Sequence, residues 1–246
     1  MRIKVLQWNI WYQENVNNIL ELIRDIDPDI FCLQELTVNA ESTQWIDIPH
    51  YIAQHTKTYH AYHSAHTNKQ WESIGNGIFS KYPLGDSEYF FVTEGKSGSD
   101  DYSDEWRVCV STRVLFPQGK FLDIATTHLS YTHAFEETPA KKREVQNLSQ
   151  YIQSRKENFL ITGDFNLVPD AVSFQQIHSQ FQSCWPSYDQ PSWTTKPFSY
   201  NGFVATERKW RLDYVFSTHD IRVIHSEIIE TPYSDHLPLL VEIEIP

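Results

Sequence analysis

Glycine is scarce in this chain, with 8 in 246 residues, and no low-complexity tract interrupts it. Hydrophobic residues make up 40% and aromatics 14%, so a predominantly disordered chain is excluded. Cysteine is scarcer still. Cys32, Cys109 and Cys184 are an odd number without metal-type spacing. Cys32 sits in the apolar run Asp29-Ile30-Phe31-Cys32-Leu33 and reads as a buried free thiol, which points to a reducing compartment. No stretch approaches the roughly 20 apolar residues of a membrane span. Met1 to Trp11 has no h-region of signal-peptide length. The expectation is a cytoplasmic protein with no stable membrane association. Basic residues are in deficit, 20 Lys+Arg against 32 Asp+Glu, for a formal charge of -12. A protein that holds long duplex DNA by counterion release shows a basic face. The acidic total argues against a wide grip of that kind, while leaving room for a small basic patch or a bound cation in a cleft. A Gly-x-Ser-x-Gly elbow is also missing, so serine-hydrolase chemistry has no support.

What is present is a repeated grammar. Ile3 to Asn9 alternates like a strand. Val16, Ile19, Leu20 and Ile23 then form a helical stripe with Asn15 as N-cap, and Pro28 marks the exit. Ile30 to Leu33 is a short apolar strand ending in Gln34-Glu35. Later, Phe121 to Thr127 is a strand ending at His128, and Thr138-Pro139 opens a helix striped by Val145, Leu148 and Ile152. Phe159 to Thr162 runs into Gly163-Asp164-Phe165-Asn166. Both strand–helix–strand units therefore finish their strands in polar residues: Asn9 and Glu35, then His128 and Asp164. Ligands gather outside the carboxyl ends of strands in α/β sheets, so two sheets facing each other over one shared site are expected. Strands are also expected at Tyr59–Ser64, Gly77–Lys81, Leu212–Phe216 and Leu239–Ile245, and a short helix around Phe174, Ile177 and Phe181. The polar stretch Thr93 to Glu105 reads as a mobile loop. Residues 1–246 read as one domain.

Asn9, Glu35, Asp164, Asn166, Asp213, Asp235 and His236 form an inventory of hard oxygen donors with one imidazole, suited to Mg²⁺ or Mn²⁺. Glu35 directly follows an apolar strand, where an unpaired carboxylate is costly to desolvate, so it needs a cation or several donors. Asp164 and Asn166 at i and i+2 share a face if the segment is extended, and a carboxylate beside an amide can orient one water. An Asx-type turn is the competing reading of this pair. In Ser234-Asp235-His236 the neighbours point apart, so Asp213 is the better partner for His236. His50, His55, His60, His63 and His66, taken as strand residues, would face different ways and read as exposed or core histidines. Trp185, Trp193 and Trp210 could stack bases or belong to the core. Contact with a polyanion is expected to be confined to the cleft and a few nearby cations such as Lys142, Arg143, Arg208, Lys209 and Arg211.

Leu6-Gln7-Trp8-Asn9-Ile10, Pro28-Asp29-Ile30 with Leu33-Gln34-Glu35, Gly75 to Leu84, Thr127-His128-Leu129, Gly163 to Asn166, Arg211-Leu212-Asp213-Tyr214 and Ser234-Asp235-His236 together resemble the endonuclease/exonuclease/phosphatase superfamily. That superfamily includes deoxyribonuclease I, exonuclease III-type repair endonucleases, neutral sphingomyelinases, inositol polyphosphate 5-phosphatases and deadenylases. The matches run in family order from residue 3 to about residue 243. The resemblance implies a four-layer α/β/β/α sandwich of two facing mixed β-sheets flanked by helices. It implies Glu35 as main metal ligand with Asn9 beside it and Asp235 close to the cation. It places Asp164 and Asn166 on the attacking water, Asp213 behind His236, and His236 and His128 on the phosphoryl group. Asn76, Arg143 and Trp193 are candidate substrate contacts. Two segments depart from the exonuclease III pattern, Ile10-Trp11-Tyr12 and Glu35-Leu36-Thr37, which puts abasic-site cleavage in doubt. The expected activity is Mg²⁺-dependent phosphodiester hydrolysis, with Mn²⁺ as a substitute and nucleic acid as first substrate. A sphingomyelinase-like or small phosphate-ester phosphoesterase is the alternative, followed by an inactive binding module of the same fold.

Overall fold

The computed structural model describes residues 1–67, 72–95, 105–185, 187 and 189–246. In chain order the first half holds β1 (Arg2–Asn9), α1 (Val16–Ile26), β2 (Ile30–Val38), α2 (Ile48–Thr56), β3 (Tyr59–Thr67) and β4 (Ser73–Ser80). Next come β5 (Leu84–Thr93), β6 (Arg107–Leu115), β7 (Phe121–His128), α3 (Pro139–Ile152), β8 (Phe159–Asp164) and α4 (Val172–His178). The chain ends with β9 (Gln182–Ser183), the hairpin β10 (Phe198–Tyr200) and β11 (Phe203–Ala205), β12 (Asp213–Ser217), β13 (Arg222–Ile228) and β14 (Leu239–Glu244). Two six-stranded sheets result, ordered β13-β14-β1-β2-β4-β3 and β5-β6-β7-β8-β12-β9. Among the described residues, only β1–β2 and β7–β8 pair in parallel; the other strand pairs are antiparallel. The parallel pairs are the two that a helix crossover joins.

Period-two alternation builds the layers. One face of the strands, including Val5, Cys32, Ile78, Val110, Ile124, Leu160, Val215 and Val241, forms the core between the sheets. The opposite faces pack outward: Leu6, Trp8, Phe31 and Phe79 against Ile19, Leu20, Ile23 and Ile52 of α1 and α2, and Ala125, Phe159, Ile161 and Phe216 against Val145, Leu148, Phe174 and Ile177 of α3 and α4. This is the four-layer α/β/β/α sandwich. Helix starts are fixed locally, with Asn15 accepting from Asn17 N and Thr138 from Lys141 N. Such caps contribute about 1 kcal/mol each.

Several elements differ from the sequence expectation. His50 and His55 lie on a helix, not strands, because Asp47 caps α2 by accepting from His50 N and Ile48, Ile52 and Ala53 bury its inner face. β2 does not stop at Leu33. It runs on to Val38 through a bulge between Leu33 and Leu36. β5, β6, β13 and the hairpin have no counterpart in the expectation. β5 and β13 carry register shifts that break the alternation from which strands are read. Most of the loop expected from Thr93 to Glu105 falls on residues 96–104, outside the described residues, as does the side chain of His66.

Candidate active site

The inner faces change chemistry along the strands. Below the apolar core stands a buried belt: Gln7 and Gln34 pair their amides, Gln34 Nε2 donates to Thr126 Oγ1 at 2.9 Å, and Thr162 Oγ1 meets Thr126 Oγ1 at 3.0 Å. One step further on each strand come the site residues. His128, Asp164 and Asp213 are register partners across β7, β8 and β12, so their side chains line up in a row. Gly163 makes that row possible: a Cβ there would lie 2.2 Å from Thr127 O, so a larger residue would push β8 off β7. Facing the row, Asn9 ends β1, and the β2 bulge carries Glu35 at φ 61°. A bulge re-aims a side chain, and here it turns Glu35 into the same space.

The contacts are dense. Asn9 Nδ2 donates to Glu35 Oε1 at 3.0 Å and to Asp164 Oδ2 at 3.1 Å, while its Oδ1 accepts from Trp11 N at 3.1 Å. Asn9 thus bridges two carboxylates as a donor and turns its oxygen away from them. Glu35 Oε2 accepts from Tyr12 N at 3.0 Å. Asp164 Oδ1 accepts from Asn166 N at 3.0 Å, an Asx turn with Asn166 at φ 47°. The segment is therefore not extended, yet turn and site coexist. Asn166 Nδ2 donates to Leu129 O at 3.0 Å, which sets the amide's orientation and brings Nδ2 to 3.2 Å from His128 Nε2. His236 Nδ1 lies 2.8 Å from Asp213 Oδ2, and its Nε2 lies 3.5 Å from Asp164 Oδ2. The segment before it is clamped by Ser234 Oγ donating to Asn9 O at 2.7 Å, Trp8 Nε1 to His236 O at 3.0 Å and Trp193 Nε1 to Asp235 Oδ2 at 3.1 Å.

Protonation follows from burial and charge. Burial raises the Glu35 pKa, and the Asp235 carboxylate raises it further. Burial pushes Asp164 up to about 7 against the pull of His236, with Asp213 adding to the rise. Burial alone would lower the His236 pKa, but Asp213, Asp164 and Asp235 outweigh it and hold the ring well above the ordinary imidazole value. His128 goes the other way: burial, then the positive charges of Arg107, His236 and Lys141, hold it well below. One imidazolium and one neutral imidazole thus stand on either side of Asp164.

Glu35, His128, Asp164, Asn166, Asp235, His236, Asn76 and Trp193 all line one cavity of about 390 Å³. Asn76 is buried, and its Nδ2 donates to Val108 O at 2.8 Å. Asn9 and Asp213 stand just behind the wall. Arg143 does not line it: like Lys142 it is exposed on α3. Arg208 is exposed and paired with Glu230, while Arg211 is buried and donates to Asp213 O and Gln190 O. Among the described residues Arg107, at the start of β6 and 2.6 Å from Glu105, is the Lys or Arg that lines the cavity. Trp11, Tyr12, Trp106, Tyr131 and Phe198 also line it, beside Trp193. Two others escaped the sequence reading. Gln7 is hidden inside a strand, and Ser192, whose Oγ donates to Asp213 Oδ2 at 2.6 Å, sits in a loop without a recognisable pattern.

Asp164, Asp213 and His236 place ligand atoms within 4.8 Å of one another. Both oxygens of Asp213 face donors, from Ser192, His236 and Gln7, so Asp213 is engaged with His236, whose other nitrogen stands 3.5 Å from Asp164. Glu35 and Asp235 are different: two carboxylates close enough to repel, both on the cavity wall. Hard oxygens under mutual repulsion fit a divalent cation such as Mg²⁺.

A model of the Endonuclease/Exonuclease/phosphatase family matches residues 6–236. Among solved structures, an endonuclease/exonuclease/phosphatase from Beutenbergia cavernae DSM 12333 superposes with a TM-score of 0.80 at 18% identity, over 99% of this chain and 72% of that one. A mannosyl-6-phosphatase from Bacteroides thetaiotaomicron VPI-5482 gives 0.74 at 15%, over 99% and 100%. TDP2 from D. rerio, complexed with single strand DNA product, gives 0.72 at 16%, over 99% of each chain. At these identities the likeness is one of fold. No curated protein sequence matches the chain significantly.

Proposed function

The chain belongs to the endonuclease/exonuclease/phosphatase family, whose members are hydrolases acting on phosphoester bonds with a divalent cation, and from that premise we propose that it is a Mg²⁺-dependent phosphodiesterase acting on short nucleic-acid strands. The observation that carries the reading is the make-up of the cavity. A carboxylate–imidazole cluster lines it together with part-exposed rings of Trp11, Tyr12, Trp106 and Phe198, of the kind on which bases stack at about 1–3 kcal/mol per base.

The geometry and the family resemblance together support a role for each residue. Glu35 and Asp235 would hold the cation, which would supply charge neutralisation to the phosphoryl group. Asp164, with a pKa of about 7, accepts the proton of the attacking water, and Asn166 beside it restricts where that water sits. Asn9 keeps Asp164 and Glu35 in fixed relation. His236, kept protonated by Asp213, meets the negative charge that gathers on the phosphoryl group. His128 stays neutral and hydrogen-bonds the same group. No covalent intermediate is required. Among the described residues no helix is long and apolar enough to cross a membrane. The buried free thiols fit the reducing cytoplasm.

A substrate panel tests this. Single- and double-stranded oligonucleotides, RNA, sphingomyelin, inositol phosphates, bis-p-nitrophenyl phosphate and p-nitrophenyl phosphate are each incubated with Mg²⁺, Mn²⁺ and EDTA. Metal-dependent cleavage of single-stranded oligonucleotides above all others is expected. Turnover of monoesters or lipid alone would overturn the substrate assignment, and no turnover at all would mean a binding module.

A further inference from the structure

The buried stripe of α3 does not consist of apolar residues alone. Lys141 and Glu144, at i and i+3, share it with Val145, Leu148 and Ile152. Lys141 is buried, and its ammonium has three partners for three protons. Nζ donates to Ser130 O, to Phe165 O at 3.3 Å and to Glu144 Oε2 at 3.2 Å. Glu144 in turn accepts from Ser130 N with both oxygens at 3.1 Å and from Ser130 Oγ at 2.8 Å. Ser130 follows His128 by two residues at the end of β7, and Phe165 lies between Asp164 and Asn166 at the end of β8.

We propose that Lys141 and Glu144 are a positioning pair that straps the exits of β7 and β8 together and so sets His128, Asp164 and Asn166 in their working arrangement. A buried ion pair is a poor source of stability, because well-packed apolar residues of similar volume do as well or better. Its use here is direction: two carbonyls and one N–H that belong to no strand ladder are held from a single point. Those peptide groups flank the side chains that the proposed function puts on the water and the phosphate. The inference rests on that function for its kinetic consequence only.

The test is the double variant Lys141→Met/Glu144→Met, which replaces both charges with unbranched apolar chains. Its fold is checked by circular dichroism and thermal melting. The expected result is a folded protein whose kcat on a single-stranded oligonucleotide falls at least about tenfold at unchanged KM. The amide protons of Leu129 and Asn166, which bond to Asp164 and do not touch the pair, should exchange at least about tenfold faster. A folded double variant with wild-type kcat overturns the proposal. If the double variant does not fold, Glu144→Gln replaces it, with a kcat loss of about threefold expected and wild-type kcat overturning. If the unaltered protein cleaves no diester, the proposed function has failed. Exchange then decides the strap, and unchanged rates at Leu129 and Asn166 overturn it.

Discussion

Asp213 Oδ2 stands between two donors, His236 Nδ1 at 2.8 Å and Ser192 Oγ at 2.6 Å. The arrangement leaves His236 Nε2 directed at the cavity. His236→Ala should lower kcat by about 10²-fold or more, the scale of a positioned charge-stabilising group. Asp213→Asn should cost less, about tenfold, since the ring remains but loses its orienting charge. Because both residues act through one imidazole, the two losses should not add. Independent effects in a double-mutant cycle would show that the pair does not work as a unit.

Glu35→Gln keeps the shape of the side chain and removes its charge. Tyr12 N can still find an acceptor, so the bulge should survive, and thermal melting should move little. Turnover in Mg²⁺ should fall below about 1% of wild type, with saturable Mg²⁺ binding lost in calorimetry. Near-wild-type binding would remove Glu35 from the proposed metal site.

Part of the site announced itself because a polar residue closes an apolar run; Asn166, Asp213, Asp235 and His236 do not, and were legible only through the ordered motifs of the family resemblance. Asn9, Glu35, His128 and Asp164 are legible for the first reason, since a hydrophobic strand that ends in a carboxylate or amide needs an explanation. Gln7 and Gln34 are not, because a buried amide inside a strand reads like any solvent-facing residue until the opposite sheet is known. Arg107 was missed with its strand. Arg143 drew attention as a charge near His128, yet the helix turns it outward and buries Lys141, which lies on the apolar stripe (141, 144, 145, 148, 152) and was recognisable by that spacing. The layers were legible from the period of two at β1, β7 and β14, but β6 went unread although its register with β7 is unbroken. At β5 and β13 register shifts also break the alternation.

Cys32, Cys109 and Cys184 are all buried in the cores. Burial pushes the Cys32 and Cys184 thiols up to about 12 and raises Cys109 as well. The thiolate is the reactive form, so the native protein should be inert to a disulfide reagent at pH 8. All three thiols should react once guanidinium unfolds the chain. Labelling of the native protein within minutes would show that a core opens more readily than its packing implies.

The charge around the cavity bears on how much substrate the protein can hold. Arg107 is the lining Lys or Arg among the described residues, and it is already 2.6 Å from Glu105. Lys196, near the rim, is 3.0 Å from Glu14 and lies over the Trp11 ring. The rest of the surface contributes to a formal charge of -12. A long polyanion would meet repulsion over most of the surface outside this mouth, while one or two phosphates flanked by stacked bases would not. Counterion release scales with the phosphates neutralised, about 0.7 per phosphate for a single strand. The logarithm of kcat/KM on a short oligonucleotide should therefore fall against log salt with a slope near about -1. A long duplex should be cleaved more slowly at every salt concentration. A slope steeper than about -3, together with preference for the duplex, would require a cationic surface that these residues do not supply.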